Sequence, residues 1–118
     1  MAIAVAASRQ ALADAYKALG GAGTVWVSLH TGDPGTTGTA EASGGTPAYA
    51  RKQSTWSSGS GGVLTATQVV IDVPAGTFTY AGLWTASSAG TFIDKVAITS
   101  TTLGSQGQIL VTPSYTQS

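Results

Sequence analysis

The residues that could do chemistry in this chain are few. His30 is the sole histidine, with Ser28 two positions before it and Asp33 three after it. Serine, histidine and aspartate suggest the nucleophile, base and orienting acid of a hydrolase triad. Here all three come from one strand and the turn that follows, whereas a working triad needs the base to bridge its partners in three dimensions. No G-x-S-x-G elbow is present, and Gly59-Ser60-Gly61 has the wrong spacing and no apolar strand before it. The structural alternative is that His30 bonds the backbone at its strand end, with Asp33 as a candidate intermediary. A single histidine excludes a multi-histidine metal site, and a chain without cysteine has neither thiolate site nor disulfide. Asp33, Glu41, Asp72 and Asp94 are scattered rather than paired. Asp33 and Glu41 could offer oxygen ligands to calcium, although no D-x-D-x-D spacing supports them. Gly59 to Gly62 match neither the Walker nor the dinucleotide fingerprint, so no motif calls for a cofactor. Trp26, Trp56 and Trp84 offer faces that could stack on sugar rings; core or interface packing is the weightier reading for aromatics at alternating strand positions.

These residues must be positioned by a short helix and a series of strands. Leu12, Ala15, Tyr16 and Leu19 fall at helical spacing, which predicts a helix over residues 2–19, stopped by Gly20-Gly21. Ser8 could cap a shorter helix starting at Arg9. Alanine dominates the helix surface, so it can lie close against a backbone, either its own sheet or a neighbouring subunit. From Thr24 the period changes to two: Val25, Val27 and Leu29 point one way, and Trp26, Ser28 and His30 the other. Gly32-Asp33-Pro34-Gly35 ends that strand, because Pro34 presets the turn and Gly35 supplies positive φ. A loop over 32–47 with little apolar content follows, unusually long for a compact domain. Strands are then expected over Tyr49–Trp56, Val63–Val73, Thr77–Thr85, Phe92–Ile98 and Ile109–Tyr115, with a hairpin connection at Ser57–Gly62. Within Thr77–Thr85, Phe78, Tyr80 and Trp84 are expected on one face and Ala81 and Leu83 on the other. Short strands with Gly-rich turns at this spacing predict a mainly β fold. The expectation is one domain over 1–118: an antiparallel, jelly-roll-like β-sandwich over 24–116, preceded by one α-helix.

Composition bounds the partners. The chain has 118 residues, 42% hydrophobic and only 8% charged, with formal net charge zero. Globular domains typically carry about 25% charged residues, and near-zero net charge favours association over dispersion. Arg51-Lys52 is the only adjacent basic pair, too little for a phosphate-binding stripe, so direct nucleic-acid binding is not expected. The apolar opening Ala2–Ala7 lacks a basic flank and is too short for a signal core. No run reaches the roughly 18 apolar residues of a membrane span. The chain reads as soluble and unprocessed, with no membrane partner.

Leu29-His30-Thr31-Gly32-Asp33-Pro34-Gly35 followed by Tyr49-Ala50-Arg51 resembles a family of small phage virion proteins, among them capsid decoration, minor capsid and tail-fibre proteins. Thr77-Phe78-Thr79-Tyr80-Ala81-Gly82-Leu83-Trp84, its small-residue turn Ser87-Ser88-Ala89-Gly90 and Val96-Ala97-Ile98-Thr99 carry the likeness onward. The resemblance implies a virion protein made in the host cytoplasm that catalyses nothing and needs no cofactor. It implies a β-sandwich that self-associates, often as a trimer, and binds the major capsid protein or other virion proteins. Its leading implication is a decoration or cement protein stabilising the outer capsid shell; the alternative is a tail-tip or fibre module binding host-surface carbohydrate. The candidate partner contacts are Leu12 and Tyr16 on the helix, and His30, Asp33, Pro34, Tyr49 and Arg51 in and around the long loop.

Overall fold

A computed structural model describes residues 3–118. The chain is mainly β and antiparallel, with one helix at its N-terminal end, as the periodicity predicts. Helix α1 spans Ala6–Lys17 and tightens into a 3-10 turn over Ala18–Gly20. Its expected start at Ala2 lies outside the described residues. The cap position is Val5 rather than Ser8, and no side chain caps it. Ala6 and Ala7 are strong helix formers and carry the helix past the serine. Gly21, at φ +115°, ends it.

Eight strands follow: β1 (Thr24–His30), β2 (Lys52–Ser58), β3 (Val63–Ala66), β4 (Val69–Val73), β5 (Gly76–Trp84), β6 (Phe92–Leu103), β7 (Gly107–Val111) and β8 (Ser114–Thr116). Six form one sheet in the order β6-β5-β1-β2-β3-β8, and β4 and β7 form a separate two-stranded ribbon. Strand β1 is central, with β5 on one side and β2 on the other.

Several boundaries differ from the expectation. The run Val63–Val73 is two strands in different sheets, divided at Thr67-Gln68. The division is held by polar bonds: Thr67 O accepts from Ser54 Oγ (2.6 Å), while Thr67 Oγ1 accepts from the Thr55 N–H (3.1 Å). Ile109–Tyr115 likewise divides around Pro113, which cannot donate to a ladder. Strand β2 starts three residues later than Tyr49, and β6 runs on to Leu103. Phe78 and Tyr80 do not share a face. A register shift between them turns Phe78 into the core beside Ala81, while Tyr80 stays opposite His30.

The inner face of the large sheet is covered in two pieces. The β4–β7 ribbon supplies Val69, Ile71 and Val73, which pack with Val27, Leu29, Phe78 and Ala81. Helix α1 covers the rest, with Ala13 against Val25, Trp56 and Leu64, and with Tyr16 stacked on Tyr115 at 3.9 Å between ring centroids. The small Ala13 lets the helix backbone approach the sheet closely. Ile71 is fully buried at the centre of the ribbon's inner face. Its truncation to alanine leaves a cavity that the two layers cannot close, so Ile71→Ala should lower unfolding free energy in urea by about 2–5 kcal/mol. A loss under about 1 kcal/mol would mean that the ribbon does not pack on the sheet as described.

Candidate functional site: a polar clasp over the outer sheet face

The outer face of β1 carries Ser28 and His30, both fully buried although polar. The connection over 31–51 folds back across them. Beyond Thr31, residues 40–42 run antiparallel to the end of β1 on the side where β2 has not yet begun. The Thr31 N–H donates to Ala40 O (3.0 Å) and the Ala42 N–H to Leu29 O (2.9 Å), around a bridge between His30 and Glu41. The turn at its tip is built as the sequence implies. Asp33 Oδ1 accepts from the Gly35 N–H (2.9 Å), and the Pro34 carbonyl accepts from the Gly38 and Thr39 N–H groups, each at 3.0 Å. Gly38 sits at φ +81° directly over the β5–β6 face. A Cβ there would lie 2.3 Å from the Trp84 ring, so only glycine lets the loop lie this low.

Under the loop, His30 is held from both ring nitrogens. Thr39 O can only accept, so Nδ1 carries the proton and donates to it (2.7 Å). Nε2 is then the acceptor for the Ser28 hydroxyl (2.7 Å), and Ser28 Oγ in turn accepts from Trp84 Nε1–H (2.9 Å). Burial holds the imidazole below its ordinary pKa of 6.5, against the opposing pull of the Thr39 carbonyl and of Glu41. The chain passes close by on β5: a Cβ on Gly82 would fall 2.6 Å from Ser28 Oγ and 2.8 Å from His30 Nε2. The serine–histidine bond of a triad is therefore present, but a backbone carbonyl stands where the acid would be. His30 does bond the backbone, and Asp33 takes no part; it pairs with Lys95 at the surface instead.

The second half of the clasp centres on Arg51. Its Nε donates to Glu41 Oε2 and its Nη2 to Glu41 Oε1, both at 2.9 Å, a forked ion pair. Nη1 donates to Ala86 O (3.0 Å) and Ala89 O (2.9 Å) in the β5–β6 turn. The guanidinium lies 3.6 Å above the Trp84 ring. Tyr49 completes it, donating to Glu41 Oε2 (2.7 Å) while its oxygen accepts the Leu29 N–H (3.1 Å). Burial alone would raise the Glu41 pKa. The bonds from Arg51 and Tyr49 outweigh it and hold the carboxyl below its ordinary 4.5. Burial and that same carboxylate push the Tyr49 phenol upward.

The candidate contact residues thus divide. His30, Pro34 and Arg51 are buried within the chain, and Tyr49 is half-buried; they fasten the loop. Tyr16 faces inward, donating to Asp94 Oδ2 (2.7 Å). Leu12 and Asp33 are exposed. Trp56 and Trp84 are buried, and Trp26 is partly covered. Asp33 and Glu41 each have a cation of their own, so they do not converge as a calcium pair. No group of three or more metal-ligating side chains occurs among the described residues. Sequence reasoning missed Thr39 and the role of Trp84. The available signal was the opposite charges of Glu41 and Arg51 in a stretch otherwise poor in charge.

The fold and the clasp define a small antiparallel β module with its polar residues sealed beneath a fastened loop. The family model for podophage GP4 fiber I protein gp80 matches residues 6–116, and the chain belongs to that family. It is accordingly a phage protein of a virion fibre family, and no helix among its described residues is long and apolar enough to cross a membrane. No curated protein and no solved structure matches it.

Two outcomes follow from the clasp. Lysine keeps the charge of Arg51 but not the fork or the stack, so Arg51→Lys should cost about 2–4 kcal/mol in urea unfolding. A change within about 0.5 kcal/mol would contradict the clasp. The pH dependence has a definite sign. His30 and Glu41 both have folded pKa values below their unfolded ones, so each stabilises above its unfolded value and the contribution is lost as pH falls. The thermal midpoint should begin to fall below about pH 6.5, and fall again below about pH 4.5. His30→Gln should remove the first descent and leave the second. A wild-type midpoint level across the first window would count against a buried neutral imidazole.

Proposed function

We propose that this chain is a non-enzymatic structural module of a phage virion, working by packing against other virion proteins and against copies of itself. The observation that carries the proposal is the state of the reactive side chains. Ser28 and His30 have no exposed surface, and their polar atoms are occupied in fastening the 31–51 loop. Four of the five cationic side chains, Arg9, Lys17, Arg51 and Lys95, are likewise bonded within the chain. The outside is left to small polar and apolar groups, a surface suited to close contact with neighbours.

The description of the matched family favours a place in a fibre. The elongated body, 47 × 26 × 23 Å, is compatible with stacking along one. A second reading places the chain on the capsid shell as a decoration protein clamping neighbouring major capsid subunits. It is favoured by the fastened loop, which gives a rigid body able to bridge them. Sugar stacking is the weaker form of the fibre reading, because Trp56 and Trp84 are covered by their own chain and only Trp26 is partly open.

Quantitative mass spectrometry of purified virions, with the chain expressed as a ratio to the major capsid protein, separates the two places. Fibre placement should give about one per cent or less, whereas about one to one or a simple fraction would move it to the shell lattice. Absence from purified virions would overturn the structural reading altogether.

A further inference from the structure

We infer that the outward face of α1 is where two copies of this chain pair, antiparallel, across a two-fold axis at Leu12. The inference deepens the reading that copies of the chain associate, and it rests on that reading.

A helix lying on a sheet ordinarily turns its charges to water and its apolar stripe inward. Helix α1 does the reverse. Arg9 Nε donates to Gly61 O (2.8 Å), and Gln10 Oε1 accepts the Gly62 and Val63 N–H groups. Asp14 Oδ1 accepts from Ser58 Oγ (2.7 Å), to which Lys17 Nζ also donates (2.9 Å). Every charged side chain of the helix is therefore tied to its own sheet. The face left outside carries Val5, Leu12 and Leu19, exposed by 60%, 47% and 55%. Ser8 and Ala15 lie between them, also exposed, and no charge stands in the stripe.

The spacing identifies the occupant. Val5, Leu12 and Leu19 are seven residues apart, a repeat that drifts only about 20° per two turns and so stacks them into one stripe roughly 21 Å long. Large residues alternate with the small Ser8 and Ala15, and the pattern reads the same from either end about Leu12. An antiparallel pair across a two-fold there sets Leu12 on Leu12 and Val5 on the second copy's Leu19, the self-complementarity an isologous contact requires. Serine and alanine at the intervening positions let two backbones approach toward the lower end of the 8–10 Å helix-packing range, about 8 Å. An uncharged face gives no electrostatic preference for a charged partner. The helix dipoles favour the antiparallel over the parallel sense. The contact is small beside the roughly 1,200–2,000 Å² of a standard stable interface, so the pair is weak in free solution and gains strength where copies are held together.

The chain has no cysteine, so single substitutions report the geometry directly. Val5→Cys, Leu12→Cys, Leu19→Cys and the Val5→Cys/Leu19→Cys double variant would be oxidised as purified proteins and run on non-reducing gels, with circular dichroism confirming the fold. Leu12→Cys alone should yield a covalent dimer. The other two singles should stay monomeric, and the double variant should cross-link. Equal cross-linking of all three singles would mean a parallel pair and overturn the proposal. So would a monomeric Leu12→Cys, including one that cross-links only to a different protein in assembled virions. Sedimentation velocity of the untagged chain should show concentration-dependent dimer that Leu12→Glu abolishes; dimer persisting in that variant would place the contact elsewhere. These readouts use the free chain, so their failure leaves the virion assignment to be decided by the copy-number measurement.

Discussion

The guanidinium of Arg51 is the interaction on which the outer half of this molecule depends. It joins three segments distant in sequence: its own strand entry, Glu41 within the loop and the carbonyls of Ala86 and Ala89. The stretch between β1 and β2 is long and poor in apolar side chains, so it has little hydrophobic burial to offset its ordering entropy. Polar bonds made in partial burial supply the difference, because there an ion pair with a full set of hydrogen bonds is strong and an unmatched one costly. The match is complete: no buried side-chain nitrogen or oxygen among the described residues lacks a partner. Ala89, a non-glycine residue at φ +53°, shows how far the turn is bent to present its carbonyl to Arg51.

The two faces of the central sheet are thus covered by different physics. On the inner face, the helix and the β4–β7 ribbon bury side chains of Val, Leu, Ile and Phe, where shape and area matter most. On the outer face, a loop of Gly, Thr, Ser and Ala lies flat because Gly38 has no side chain. It is held by His30, Tyr49, Glu41 and Arg51. This division explains how a chain with so few charges still orders a long loop. Most of its charges act within the fold, which leaves the exterior short of them. That exterior shortage connects the fold to a life among other proteins: the helix can turn alanine, valine and leucine outward only because its charged residues are held by the sheet beneath.

Much of the inner architecture was legible in the sequence. Alternation in Val25–His30, the glycine stops at Gly20-Gly21 and the Gly59–Gly62 hairpin all reflect local rules, and the structure follows them. The division of Val63–Val73 was not legible, because Thr67-Gln68 contains no breaker and alternation runs on through it. What separates β3 from β4 is the clasp of Ser54 and Thr67, a contact between strands. The face of Phe78 was misread for a similar reason, since a bulge is set by the partner β6 and leaves no mark in a single strand. At the site, sequence placed Ser28 and His30 on one face correctly. It could not show that Thr39, nine residues on, and Trp84, on another strand, close over them. Nor could a family likeness in Leu29–Gly35 and Tyr49–Arg51 show that these two segments fasten one loop.

The most direct test of this account is native-state hydrogen exchange of the 31–51 connection, resolved by residue. A fastened loop makes the amides of Gly38, Thr39 and Ala42 exchange as slowly as those of the neighbouring strands, because opening them requires breaking the clasp. Exchange of those amides at the rate of free coil, with β1 and β5 still protected, would contradict it: the loop would then open independently of the sheet, and Arg51 would not be what holds the outer face together.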